Sequence, residues 1–334
     1  VLAFTKATNA LVRFAIPKGS LEPQTYKFLE EAGYSLSGQE RSYRPSINDP
    51  DLKVKILRPQ EIPQLVEEGA YDIGITGLDW VYETSANVEI LQDLEYGAVS
   101  IVLAVSKNWK EVNSFEDLLK KTLAENRPLK IYTEYINLSV SWIRNNNYYR
   151  SVFGDSEPQV VTPWIKKGTN EKVKLFLSFG ATEAKPPEDA DAIIDAMSTG
   201  ITLEENDLKP ICTIFNSTAR LIANKNSLRT KKEKILDVLS LFRGVVEARK
   251  RLHIFVNVKE ENLQALLSVL PALKGPTVSP LSQKGWYAVN TVIEKDSFLK
   301  ILPLLRKYAQ GLVVHSPRQV MSLEEVKIDD PNCN

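Results

Sequence analysis

Short apolar runs alternating with helically spaced segments constrain this chain more than any other feature. LVRFAI (11–16) is such a run, and LEPQTYKFLEEAG (21–33) follows with helical spacing at Leu21, Tyr26 and Leu29 and a stop at Gly33. LKVKIL (52–57) alternates, PQEIPQLVEEG (59–69) spaces Ile62, Leu65 and Val66 for a helix ending at Gly69, and YDIGITG (71–77) reads as a strand entering a turn. Strands separated by helices imply a parallel sheet covered on both faces, because a crossover helix is what returns the chain to run in the same direction.

The alternation continues as a second lobe. AVSIVLAV (98–105), LKIY (129–132) and VKLFLSFG (173–180) read as strands, and SFEDLLKKTLAEN (114–126) and YINLSVSWIRNNNYY (135–149) as helices. The runs LKPICTIF (208–215) and TARLIANK (218–225) follow, then SLRTKKEKILDVLSLFRGVVEARKR (227–251), a charged amphipathic helix with the look of a linker. Beyond it, IFVNV, ENLQALLSVL, PTVSPL, WYAVNTVI, SFLKILPLLRKYA and GLVVHS give a β-α-β-β-α-β order, that of a ferredoxin-like unit. The expected division is residues 1–97 with 190–225 as lobe I, 98–189 as lobe II, 226–250 as a linker helix and 251–334 as a ferredoxin-like domain.

Composition narrows the chemistry. The 334 residues exceed one ordinary core. Lys+Arg and Asp+Glu both number 42, so no basic excess favours nucleic acid and an anionic ligand must be held locally. Two cysteines, Cys212 and Cys333, support neither a disulfide framework nor a Cys-based zinc site. The two histidines, His253 and His315, lie in apolar strand-like segments and read as packed structural residues rather than acid–base groups. No stretch approaches the roughly 18 apolar residues of a membrane span. VLAFTKATNA lacks a signal-peptide layout, so the expected location is cytoplasmic, although a chain beginning at Val1 leaves a removed leader open.

ADAIIDAMSTGIT (190–202) is the richest stretch. An apolar strand leaves on Asp195 and turns through Ser198, Thr199 and Gly200 toward Thr202, where TLEEN begins a helix. Backbone N–H groups at such a turn, joined by hydroxyls, suit a phosphate, and glycine lets the ligand approach the main chain. The acid suits sugar hydroxyls or a metal ion. A turn with an ordinary capped helix is the plainer reading.

The stretch resembles the phosphoribosyl-pyrophosphate motif, with one acid, Asp195, where the usual form has two adjacent. Read with AIPKGSL (15–21), RPQEIPQLVEEGAYDIGITG (58–77), TEY (133–135), GATEAKPPE (180–188) and GPTVSPL (275–281), the chain resembles the ATP phosphoribosyltransferase family. The likeness is to its long form, which carries a C-terminal regulatory domain, and it runs from about residue 11 to 322. Ile136 departs from it, where many relatives have proline.

The resemblance implies a two-lobed core like periplasmic binding proteins, followed by the ferredoxin-like domain. It implies transfer of phosphoribose from phosphoribosyl pyrophosphate to N1 of ATP's adenine, with Mg2+, as the first step of histidine biosynthesis. On this resemblance Asp195, Ser198, Thr199, Gly200, Ile201 and Thr202 hold the donor, with Asp195 on the ribose. Lys18, Gly19, Arg58, Thr76, Gly77, Glu134 and Glu183 face ATP or pyrophosphate. Mg2+ rides on substrate phosphates, with Glu134 or Glu183 as a protein ligand, and no general base is assigned. Leu273, Thr277, Gly311 and Asn257 are the implied site for inhibitory histidine, and a homo-oligomer of dimers building a hexamer is implied. Neither nucleic acid nor membrane is an expected partner. The competing readings are a non-catalytic two-lobed small-molecule binder and a regulatory paralogue.

Overall fold

A computed structural model describes residues 11–39, 42–270 and 275–321. The chain begins with β1 (Val12–Pro17), α1 (Glu22–Glu31), β2 (Leu36–Ser37), β3 (Ser46–Ile47), β4 (Leu52–Leu57), α2 (Ile62–Glu67), β5 (Ile73–Gly77), α3 (Leu78–Thr84) and β6 (Glu89–Asp93). It continues through β7 (Val99–Ser106), α4 (Phe115–Ala124), β8 (Leu129–Thr133), α5 (Ile136–Asn145), α6 (Asn147–Phe153), β9 (Pro158–Val161), β10 (Lys166–Lys167) and β11 (Asn170–Leu177). Then come β12 (Ala192–Met197), α7 (Ile201–Glu205), β13 (Leu208–Ser217), β14 (Ala219–Ala223), α8 (Lys225–Thr230) and α9 (Lys232–Arg249). The last elements are β15 (Arg251–Lys259), α10 (Glu260–Leu267), β16 (Thr277–Pro280), β17 (Trp286–Glu294), α11 (Lys295–Tyr308) and β18 (Ala309–His315).

One compact unit, Arg13–Gln24 with Val54–Arg229, holds two sheets. The first has the order β4-β1-β5-β14-β6 and the second β10-β9-β11-β8-β12-β7-β13. Continuous apolar runs explain the central strands: all five β5 residues are buried, as are Ile101–Ser106 of β7. The sheets are not wholly parallel. β14 runs antiparallel to β5 and β6, and β7 runs antiparallel to β12 and β13. The cause is the connection: β6 leads to β7 and β13 to β14 by short crossings from one sheet to the other, without a crossover helix. The two crossings bond to each other, with Ala219 N donating to Tyr96 O at 2.9 Å and Leu94 N donating to Ala219 O at 3.0 Å.

Segment 190–225 was expected with the first sheet, and this is corrected. β12 and β13 pair within the second sheet, and β14 alone returns to the first. β12 lies between β8 and β7, where Ile193 and Ile194 are fully buried.

The other unit comprises residues 1–12, 25–53 and 230–334, taken over its described part. Its surprise is α9. The expected linker is a core helix: Ile235, Val238, Leu239, Phe242 and Val245 are buried, and Phe242 meets Phe28 of α1 edge-on at 5.0 Å. Arg249 pairs with Glu31 at 2.8 Å and Lys234 with Asp49 at 2.6 Å. The apolar spacing that suggested an amphipathic helix thus packs against α1. Truncating a buried phenylalanine such as Phe242 to alanine costs about 3–5 kcal/mol. A break at Lys231 separates α8 from α9, and Asn146 separates α5 from α6, where single helices were expected.

The C-terminal four-stranded sheet has the order β16-β17-β15-β18, and among the described residues its neighbouring strands pair antiparallel. Ile254, Val256, Val258, Val289 and Ile293 form its buried face with Leu266, Ile301 and Leu305 of α10 and α11. The opposite face carries His253 paired in register with His315. His315 is exposed and His253 half-buried, so neither is the packed core histidine expected.

Candidate active site

β12 sets the site. At its entrance Asp191 is buried, receives Arg127 Nη1 at 2.6 Å and the Lys130 N–H at 2.8 Å, and so serves the fold. Toward its exit, half-buried Asp195 pairs with no cation among the described residues. Its carboxylate accepts the Thr182 hydroxyl and the Ala196 N–H. Burial raises this carboxyl above its ordinary value, the two hydrogen bonds pull it partly back, and the charge of Glu183 lifts it again.

Beyond Asp195 the chain turns at Gly200, whose φ of +82° lies in the left-handed region. α7 follows, and Gly200 is its N-cap with no side-chain cap. Ser198, Thr199 and Thr202 are exposed, and among the described residues no side-chain hydrogen bond ties down their hydroxyls. Ile201 is also exposed, 57% accessible, as a main-chain rather than side-chain contributor would be.

Glu134 joins this edge from the end of β8. It accepts the Gly180 N–H at 2.7 Å. Burial raises its carboxyl, Asp195 adds to the rise, and the amide of Gly180, Gln60 and the charge of Arg58 oppose it. Arg58, just past β4 in the first sheet, therefore lies within electrostatic reach of Glu134 of the second. Glu183 is half-buried in a short 3-10 turn, Thr182–Ala184.

Lys18 and Gly19 follow β1, where the Lys18 N–H donates to Leu57 O at 2.7 Å and Gly19 adopts φ +85°. Thr76 departs from its expected role of lining a cleft. It is fully buried, and its hydroxyl donates to Pro59 O at 2.7 Å, bracing the segment that follows Arg58. Gly77 is needed for packing: a Cβ there would lie 2.1 Å from Asp79 Oδ1.

Beside the Gly200 turn, a cavity of about 460 Å³ lies at the crossings, lined by Asp93, Ser100, Ser198, Asn216 and Arg220 among others. Arg220 pairs with Asp93, which also accepts the Thr218 hydroxyl at 2.9 Å. Sequence reasoning missed Thr182, Arg220 and Asp93, whose roles depend on neighbours remote in the chain.

Among the described residues no group of three or more His, Cys, Asp or Glu forms a cage for a metal. The donors near the turn are hard carboxylate oxygens on Glu134 and Asp195, which fit an ion carried largely by substrate phosphates and suit Mg2+.

In the C-terminal sheet Asn257 and Gly311 are cross-strand partners, and Thr277 lies opposite Asn290. These residues share the sheet's open face. Thr277 is on one edge strand and Gly311 on the other, three strand spacings or about 14 Å apart. Leu273 lies outside the described residues.

The model of the family described as ATP phosphoribosyltransferase matches residues 58–244, and that described as HisG, C-terminal domain, matches 248–316. An ATP phosphoribosyltransferase of Pelotomaculum thermopropionicum is 35% identical over 313 residues, spanning 92% of this chain and 97% of that protein. One from Solibacter usitatus is 36% identical over 314 residues, spanning 92% and 98%. Among solved structures, the ATP phosphoribosyl transferase (HisG:HisZ) complex from Thermotoga maritima shares the fold. Its TM-score is 0.51 at 23% identity, covering 69% of this chain and 96% of that one.

Proposed function

The chain belongs to the ATP phosphoribosyltransferase family, and from that premise we propose how its residues carry the transfer. The enzyme is a pentosyltransferase that joins N1 of ATP's adenine to C1 of phosphoribosyl pyrophosphate and releases pyrophosphate, the first step of histidine biosynthesis.

The new bond forms at C1 as the bond to pyrophosphate oxygen breaks. Adenine N1 already carries a lone pair, so the protein contributes position and charge rather than a base. The amides and hydroxyls of Ser198–Thr202 hold the 5-phosphate. Asp195 accepts the ribose hydroxyls and offsets positive charge developing on the sugar ring. Lys18 and Arg58 meet the departing pyrophosphate or the ATP phosphates, and Glu134 and Glu183 face the nucleotide. Bound Mg2+ would neutralise phosphate charge, with Glu134 or Glu183 as its protein ligand. The observation that carries the reading is a half-buried carboxylate at Asp195, raised by desolvation and paired with no cation among the described residues, standing at the mouth of a hydroxyl-bearing turn.

The finer architecture belongs to the same proposal. Two sheets joined by two crossings fit a core like periplasmic binding proteins, and the β16-β17-β15-β18 order fits a ferredoxin-like domain. On its open face Asn257, Gly311 and Thr277 are the proposed contacts for inhibitory histidine. Their spread across the sheet favours a ligand shared with a second copy in a homo-oligomer.

The test combines purified protein with ATP, phosphoribosyl pyrophosphate and Mg2+ and follows pyrophosphate release. Release that requires both substrates is expected, and its absence from folded protein overturns the reading.

A further inference from the structure

α5 lacks a cap of its own. Its N-cap residue is Tyr135, which makes no side-chain capping bond, so the first N–H groups of the helix need an outside acceptor. Glu83 supplies it from α3. One carboxylate oxygen accepts the Asn137 N–H and the other the Leu138 N–H, both at 2.9 Å, and Asn137 Nδ2 donates back to Glu83 O at 2.7 Å. One turn earlier on α3, Asp79 accepts the Tyr135 hydroxyl at 2.9 Å and the Ser217 hydroxyl at 2.6 Å. Trp80 stacks on the Tyr135 ring at 4.7 Å.

α3 follows the first sheet's β5, α5 follows the second sheet's β8, and Ser217 ends β13 of the second sheet, just before the chain crosses to the first. The segment so clamped begins beside Glu134, which meets Gly180 and senses the charges of Asp195 and Arg58. We propose that Glu83 is a positioning residue for the transfer, fixing the first turn of α5 and thereby holding Glu134 at the Asp195 edge. The proposal rests on the transferase reading above. Asp79 and Glu83 are both buried acids, and among the described residues no cation pairs with either. Burial pushes the Glu83 carboxyl up to about 7 against the pull of its backbone amides. Carrying that charge weighs against folding stability at neutral pH, as befits a group retained for position.

Glu83→Gln keeps the shape but turns one acceptor into an NH2 that faces an N–H. Steady-state kinetics and hydrogen exchange at Asn137 and Leu138 are measured together. We expect kcat to fall about tenfold or more with KM for phosphoribosyl pyrophosphate within about threefold, because geometry rather than phosphate binding is lost. Exchange at the two amides accelerates, and Glu83→Asp recovers part of kcat. Unchanged kcat in folded Glu83→Gln, or unchanged exchange at both amides, overturns the proposal. Should Glu83→Gln not fold, Glu83→Asp shortens the reach to both amides, and wild-type kcat with unchanged exchange there overturns it. Wild-type protein that releases no pyrophosphate defeats the transferase reading instead, and amide exchange still tests the clamp.

Discussion

The two ends of β12 carry the same side chain in opposite circumstances. Asp191, at the entrance, is buried against Arg127 and a backbone N–H, so its charge is answered within the fold. Asp195, four residues on, is half-buried and among the described residues accepts a hydroxyl and one N–H, and desolvation raises its carboxyl. A buried acid with its own cation holds structure together. A half-buried, desolvated acid without one is suited to a ligand.

Exchanging the roles of these two acids is the sharpest way to break the comparison. Asp195→Asn should lower kcat/KM by about 10²–10³, the usual effect of losing a preorganised charge contact to a transition state, measured by pyrophosphate release. Asp191→Asn should instead lower folding stability by about 1–3 kcal/mol in denaturant unfolding, since Arg127 is partly exposed and softens the loss. Its kcat per folded molecule should match wild type. Equal kinetic losses in both variants would dissolve the distinction.

Stability against pH tests Asp195 by itself. The raised Asp195 carboxyl gives the fold its full benefit below the ordinary carboxylate range, and that benefit is lost as pH rises through the raised value. Asp195→Asn removes the charge, so its melting temperature should exceed wild type at about pH 8 and converge with it near pH 4.

Smaller effects sharpen the picture of the turn. Gly200→Ala forces a Cβ into φ +82°, a strain of about 1 kcal/mol, and should raise KM for phosphoribosyl pyrophosphate several-fold. Thr182→Val withdraws the hydroxyl that stabilises ionised Asp195. The acid limb of the kcat/KM profile should move to higher pH, with a loss of about threefold at neutral pH.

What was legible in the sequence follows from the range over which each cause acts. Strand and helix alternation is local, and so is the S-T-G-x-T turn, whose glycine and hydroxyls announce themselves within five residues. The antiparallel return of β14 was hidden, because strand direction depends on which sheet the chain re-enters after Thr218. α9 read as a linker since its charged residues dominate by composition, whereas its apolar face meets Phe28 and Tyr34, about two hundred residues upstream. Asp79 and Glu83 stand four apart in LDWVYET, an acid pair on one face of a short helix. Only the tertiary partners Tyr135, Asn137 and Ser217 give that spacing a purpose.

A structure of the wild-type protein with phosphoribosyl pyrophosphate bound bears most directly on the central claim. The 5-phosphate should lie within hydrogen-bond distance of main-chain amides between Ser198 and Thr202, with a ribose hydroxyl on Asp195. Donor seated elsewhere, with the Gly200 turn empty and Asp195 still bonded only to Thr182 and Ala196, would contradict it.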